Sequence, residues 1–173
     1  MYIKLFSVLL ITLGCSAGTF AQDIFEAART GNLQRIKQLS KMKADTVNAL
    51  DERGFNPLVI ACYRNQEKAA RLLVKCGAAV NGYSLEGNAL QAASYQNNVA
   101  LATFLIKAGA TVNTVAPDGN NALMYAVLNQ SEPMVKLLVA AGADLKASNN
   151  DGQTAHSLSL TLENTRIREM VSF

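Results

Sequence analysis

Tryptophan is absent from the 173 residues, histidine occurs once, and proline and cysteine occur three times each. A lone histidine excludes a multi-histidine metal site, and any histidine-based triad would have to be built on His156, near the C-terminus. Charged residues are few, 17% of the chain, and nearly balanced at 16 basic against 13 acidic. No run of five Lys or Arg occurs, and no basic stripe alternates with aromatics, which argues against nucleic acid as a ligand. Half of the residues are hydrophobic, so long disordered tails have little place, and the length suits one domain with a continuous, elongated core.

The chain does contain repetition. Leu72-Leu73-Val74-Lys75-Cys76-Gly77-Ala78 returns as Phe104-Leu105-Ile106-Lys107-Ala108-Gly109-Ala110 and as Leu137-Leu138-Val139-Ala140-Ala141-Gly142-Ala143, a period of 32 to 33 residues. Self-similarity at that spacing means stacked supersecondary units, none of which can bury its apolar face alone. A second element precedes each copy: Gly54-Phe55-Asn56-Pro57-Leu58-Val59-Ile60-Ala61-Cys62, then Asn88-Ala89-Leu90-Gln91-Ala92-Ala93-Ser94, then Gly119-Asn120-Asn121-Ala122-Leu123-Met124-Tyr125-Ala126-Val127. Gly152-Gln153-Thr154-Ala155-His156-Ser157-Leu158-Ser159 is a degenerate fourth copy, and Ile24 to Leu33, with Ile36 and Leu39, a first half-copy.

The two elements, in this order and at this period, resemble the ankyrin repeat, whose pattern runs Gly-x-Thr-Pro-Leu-His-x-Ala-Ala, a turn, a Leu-Leu helix, Gly-Ala and an Asn. The resemblance implies an all-α solenoid of helix-turn-helix units joined by short β-hairpin fingers. Its expected divisions are a partial repeat over 22–50, full repeats over 51–82, 83–115 and 116–148, and a capping repeat over 149–173. Asn48, Asn81 and Asn113 precede Asn56, Asn88 and Asn121 by eight, seven and eight residues, so one residue is missing from the middle finger. Either Gly87 fills the slot after the family Gly, or the gap follows that Gly.

Local chemistry agrees with this register. Pro57 suits a first helical turn, with Asn56 as its cap. Gly31, Asn65 and Asn97 fall at the turns between helices and tolerate positive φ, with Gln130 the exception. Gly77, Gly109 and Gly142 read as the residues that end the second helices. Ala69, Leu72 and Leu73, then Leu101, Phe104 and Leu105, then Met134, Leu137 and Leu138 give the spacing of an amphipathic face. The family Thr is Asn in three copies, the Pro survives only at Pro57, and the family His is replaced by Val59, Gln91, Met124 and Ser157. The Thr-to-His hydrogen bonding of the family is therefore mostly missing, and ordinary rather than high stability is expected.

Met1 to Ala21 stands apart. Lys4, the apolar stretch Leu5 to Leu13 and Thr19-Phe20-Ala21 have the order of a secretory signal, too short to span a membrane, with cleavage before Gln22. Thr12-Leu13-Gly14-Cys15 also partly resembles a bacterial lipobox, so two fates stay open, cleavage after Ala21 or a lipid anchor at Cys15. Either implies export, to the periplasm or cell envelope. In an oxidising compartment Cys62 and Cys76 are either bridged or separate apolar fillers.

His156 occupies the slot of Leu58, Leu90 and Leu123, as a residue softening the end of the core does. Asp51, Glu52, Glu86, Asp118 and Asp151 lie at solvated finger tips, where burial cannot separate their pKa values for acid/base work. No enzymatic activity, cofactor or metal is expected. The resemblance instead implies protein binding along the fingers and the concave face of the first helices. The family's contact slots fall on Arg29 and Thr30 in the half-repeat and on Glu52, Arg53, Phe55, Tyr63 and Arg64 in the first full repeat. They continue with Leu85, Tyr95 and Gln96, then Pro117, Asp118, Asn120, Leu128 and Asn129, with Tyr83 a further candidate. Tyr and Arg dominate this stripe, as they dominate interface hot spots, although Tyr63 and Tyr95 also suit shielding of the backbone. The expectation is a monomeric scaffold for one protein partner, such as an envelope-stress accessory protein or an inhibitor, against the alternative of a structural lipoprotein.

Overall fold

The structure, a computed structural model, describes residues 17–172, with side chains from residue 23 onward. Five helix pairs follow one another: α1 (Ala17–Thr30) with α2 (Leu33–Met42), α3 (Pro57–Tyr63) with α4 (Glu67–Lys75), α5 (Ala89–Tyr95) with α6 (Val99–Lys107), α7 (Ala122–Leu128) with α8 (Glu132–Ala140), and α9 (Ala155–Leu160) with α10 (Thr165–Met170). The first helices pack on one another in chain order and the second helices form a parallel row, so one core runs through the stack. Among the described residues no helix is long and apolar enough to cross a membrane. Residues 1–16, which hold Cys15 and most of the expected export segment, lie outside the described residues. Helix α1 begins at Ala17 and runs through the cleavage point expected after Ala21.

Helices α3, α5, α7 and α9 start because a side chain replaces the missing backbone acceptor at the N-terminus. Asn56, Asn88, Asn121 and Thr154 accept hydrogen bonds from the backbone N–H of Val59, Gln91, Met124 and Ser157. The Asn that replaces the family Thr therefore keeps its capping role. Turns follow at Gly31, Asn65, Asn97 and Gln130, all with positive φ, so Gln130 adopts the same left-handed conformation at +52° despite its side chain.

The recurrent Gly-Ala ends each second helix. The N–H of Gly77, Gly109 and Gly142 bonds the carbonyls of Val74, Ile106 and Val139, and the N–H of the following Ala reaches back to Leu73, Leu105 and Leu138. This paired closure needs positive φ at the glycine, which explains why the dipeptide recurs unchanged. The buried face of these helices is shifted from the expected stripe. Ala69, Ala70 and Leu73, then Leu101, Ala102 and Leu105, then Met134, Val135 and Leu138 are buried, while Leu72, Phe104 and Leu137 lie half-buried at the margin. Helices of two or three turns touch two neighbours at once, so the apolar face widens on the side of the adjacent first helix.

The spaced Asn residues form a ladder between repeats. Asn48 donates to the Gly77 carbonyl at 3.0 Å and accepts from the Ala79 N–H at 2.7 Å. Asn81 does the same with Gly109 and Thr111, and Asn113 with Gly142 and Asp144. Each amide thus fastens the start of one finger to the helix end of the next repeat. Lys146 takes the corresponding position before the last finger.

The middle finger resolves the register left open above. Strand β1 (Tyr83–Ser84) pairs antiparallel with β2 (Gly87–Asn88), Ser84 opposite Gly87. In the other fingers Asp51, Ala116 and Asn149 bond Phe55, Asn120 and Gln153 across one residue more, and Gly54, Gly119 and Gly152 supply the turn. Gly87 therefore occupies the slot after the family Gly, and the deleted residue is that Gly itself. Cys62, which is buried, and Cys76, which is half-buried, are both free thiols in the structure.

Candidate functional site

First helices and fingers together form the face on which the expected contact residues fall. Position by position along the stack, Arg29, Tyr63, Tyr95 and Leu128 make one column at the ends of α1, α3, α5 and α7. Tyr95 is 56% exposed and Leu128 47%, and Leu85 at the tip of the middle finger is 69% exposed. Phe55 is placed differently from the rest, since only 6% of it is exposed and it serves as a floor beneath the surface.

The rings form a chain that crosses repeats. Phe55 meets Tyr63 edge-on at 6.1 Å between centroids, Tyr63 meets Tyr95 at 6.3 Å, and Tyr95 meets Tyr125 at 5.9 Å. Such edge-to-face pairs add packing energy beyond burial and leave hydroxyls free to find acceptors. Tyr63 Oη donates to the Glu86 carbonyl at 2.6 Å, tying the helix end to the next finger. Burial, with the nearby charges of Glu86 and Asp118 adding to it, pushes its phenol up to about 12.

Sequence reasoning passed over Tyr125. It stands one turn before the contact column, in a slot that Ile60 and Ala92 fill in the preceding repeats, and a tyrosine there signals that the slot is not purely core. Its hydroxyl donates to Asp118 Oδ2 at 3.1 Å. Burial and the Asp118 carboxylate raise its phenol well above the ordinary range. Burial would raise the Asp118 carboxyl as well, but hydrogen bonds from the Asn120 backbone, the Asn120 amide and Tyr125 outweigh it and hold Asp118 below its ordinary value. Asp118 therefore stays ionised at neutral pH.

Several expected contact residues have structural work of their own. Gln96 Nε2 donates to the Tyr63 carbonyl at 2.7 Å, and Asn129 Nδ2 donates to the carbonyls of Ser94 and Tyr95. These amides bond carbonyls at the helix ends, that of Ser94 also accepting from the Asn97 N–H. Asn120 bonds Asp118 on its own finger and Asn149 on the next. Asp51 closes its finger by accepting from the N–H of Arg53 and Phe55. Tyr83 donates to the Val115 carbonyl. Arg29 pairs with Glu26 at 2.7 Å, and Arg53 pairs with Glu86 while its guanidinium lies 5.1 Å over the Phe55 ring.

Two open hollows lie between fingers and helices. One, of about 250 Å³, is lined by Arg29, Arg53, Phe55, Tyr63, Arg64 and Glu86 among others. The second, of about 460 Å³, is lined by Tyr63, Leu85, Tyr95, Pro117, Asp118 and Tyr125 among others. Guanidinium groups characterise the first, and phenol rings with one carboxylate the second.

Comparison with known proteins bears on the fold. The family model described as ankyrin repeats (3 copies) matches residues 24–116 and again residues 90–171. Ankyrin repeat and SAM domain-containing protein 6 of Rattus norvegicus is 29% identical over 140 residues, covering 81% of this chain. The chain spans only 12% of that rat protein's length. The family matches run from Ile24 to Val171, across the stacked helix pairs and fingers, and the chain belongs to the ankyrin-repeat family.

Proposed function

We propose that this chain is a noncatalytic binding scaffold, exported from the cytoplasm, that grips one folded protein partner along its fingers and concave first-helix face. Ankyrin repeats in general mediate contacts between proteins, and fold alone goes no further than that. The observation that carries the reading is the line of exposed apolar side chains, Leu85, Tyr95 and Leu128, on a face whose core is already closed beneath them. Exposed apolar groups gathered on one face favour an interface, and a tyrosine held between two neighbouring rings loses little side-chain entropy on binding. Export rests on Met1 to Ala21, and an envelope-stress accessory role or inhibition of an enzyme or toxin would suit a scaffold placed there.

The test is affinity capture from a cell-envelope fraction with the protein and its Leu85→Ser, Tyr95→Ser, Leu128→Ser triple variant. These side chains are exposed, so the variant should keep its helical circular dichroism. Loss of a captured partner with the variant supports the reading, whereas equal recovery by both proteins overturns it. Anchoring through Cys15, which rests on Thr12-Leu13-Gly14-Cys15, predicts instead that the protein sediments with membranes and that Cys15→Ala releases it.

A further inference from the structure

We infer that the partner segment presents an acidic side chain to Arg64, followed by apolar side chains over Tyr95 and Leu128; this rests on the binding reading above and specifies its chemistry. Arg64 belongs to the column Thr30, Arg64, Gln96, Asn129, whose members otherwise bond within the stack. Thr30 donates to the Glu26 carbonyl, Gln96 to Tyr63, and Asn129 to Ser94 and Tyr95. In the Arg64 repeat the corresponding bond, to the Arg29 carbonyl, comes from Gln66 Nε2 at 3.4 Å. The Arg64 guanidinium is therefore released from the role its column performs elsewhere. It is exposed, and it has no hydrogen bond or ion pair among the described residues.

Its surroundings suit a carboxylate. The hollow beside it also holds Arg29 and Arg53, paired with Glu26 and Glu86, and Asp51, whose carboxylate is turned to the N–H groups of Arg53 and Phe55. The unpaired guanidinium in the hollow is that of Arg64, next to the half-buried Tyr63 ring, where partial exclusion of water strengthens a charge-assisted, bidentate bond. Polarity along the face orients the segment. At the other end Asp118 stands beside Tyr125 in the second hollow, so a second acid placed there would meet like charge.

Spacing follows from the stack. Neighbouring helices pack roughly 8–10 Å apart and an extended chain rises about 3.3 Å per residue, so the first apolar residue should lie about three positions from the acid and the second about six.

The test pans a phage-displayed library of random peptides against the full-length chain. Enriched peptides should carry Asp or Glu with an aromatic or aliphatic residue about three positions away. Synthetic copies should lose about tenfold or more in affinity to Arg64→Glu, as expected for a hot-spot residue, and weaken as salt is raised. Lys68→Glu makes the same charge change on helix α4 and should leave binding unchanged. Binders that depend on Tyr95 and Leu128 but show no acidic preference, or that are indifferent to Arg64→Glu, overturn the inference while leaving the binding face intact. Peptides that ignore Tyr95 and Leu128, or no enrichment at all, overturn both.

Discussion

At the residue scale, the turn positions show how little sequence a conformation needs. Gly31, Asn65, Asn97 and Gln130 share one backbone geometry, although only the first three residue types tolerate it at low cost. Gln130 holds +52° because the N–H groups of Gln130 and Ser131 bond the carbonyls of Val127 and Ala126, and the neighbouring helices fix both ends. The strain is stored in a single exposed residue. Gln130→Gly should accordingly raise unfolding free energy by about 0.5–1 kcal/mol, since relief of the left-handed strain exceeds glycine's entropy cost. Urea denaturation would measure it, and an unchanged or lower midpoint would show that Gln130 is not strained.

At the scale of elements, the shortened finger and the helix behind it depend on each other. Gln91 Oε1 accepts from the Asn88 N–H, while its Nε2 donates to the carbonyls of Thr114 and Asn120, so one amide joins the cap of α5 to the next finger. A Cβ at position 87 would lie 2.5 Å from that Oε1, so the residue facing Ser84 must be glycine for the amide to fit. Val59 and Met124 hold the same slot elsewhere and make no such bonds. Gln91→Met should therefore cost about 2 kcal/mol, because it leaves the Asn88 N–H and the Thr114 carbonyl without a partner and the Asn120 carbonyl with only the Ala116 N–H. Calorimetry or urea titration would report it. A loss below about 0.5 kcal/mol would mean that water replaces the amide without penalty.

At the scale of the molecule, the continuous core sets an alkaline limit to stability. Burial raises the Cys62 thiol above its ordinary 9.0, and Tyr63 and Tyr125 are raised above 10.0. An unfolded chain releases these protons near their ordinary values, whereas the native state retains them. Native protein then binds more protons than unfolded protein, so stability falls as pH rises above about 9 and is insensitive to these groups below it. The urea midpoint should be level between about pH 7 and 8.5 and decline from about pH 9 to 11, with the Cys62→Ala variant beginning its decline nearer pH 10. A midpoint level through pH 11 in the parent protein would contradict the burial of all three groups.

Period, helix order, caps and the Gly-Ala closures were legible in the sequence alone, because each depends on contacts within a few residues. A deleted residue was legible too, as a count between asparagines, but its place was not, since only the pairing of Ser84 with Gly87 distinguishes a missing glycine from a missing neighbour. The column of contact residues could be written down from the period. Which members are free could not. Gln96, Asn129 and Arg64 look alike as polar residues at one repeat position, and only the carbonyls of the preceding repeat decide that two are held and one is not. Tyr125 joined the aromatic chain for the same reason, through a neighbour thirty residues away. The sequence by itself determined what recurs along the chain, because repetition is local chemistry written several times. The tertiary structure decided what differs between repeats, because differences take their meaning from the neighbour against which each repeat is stacked.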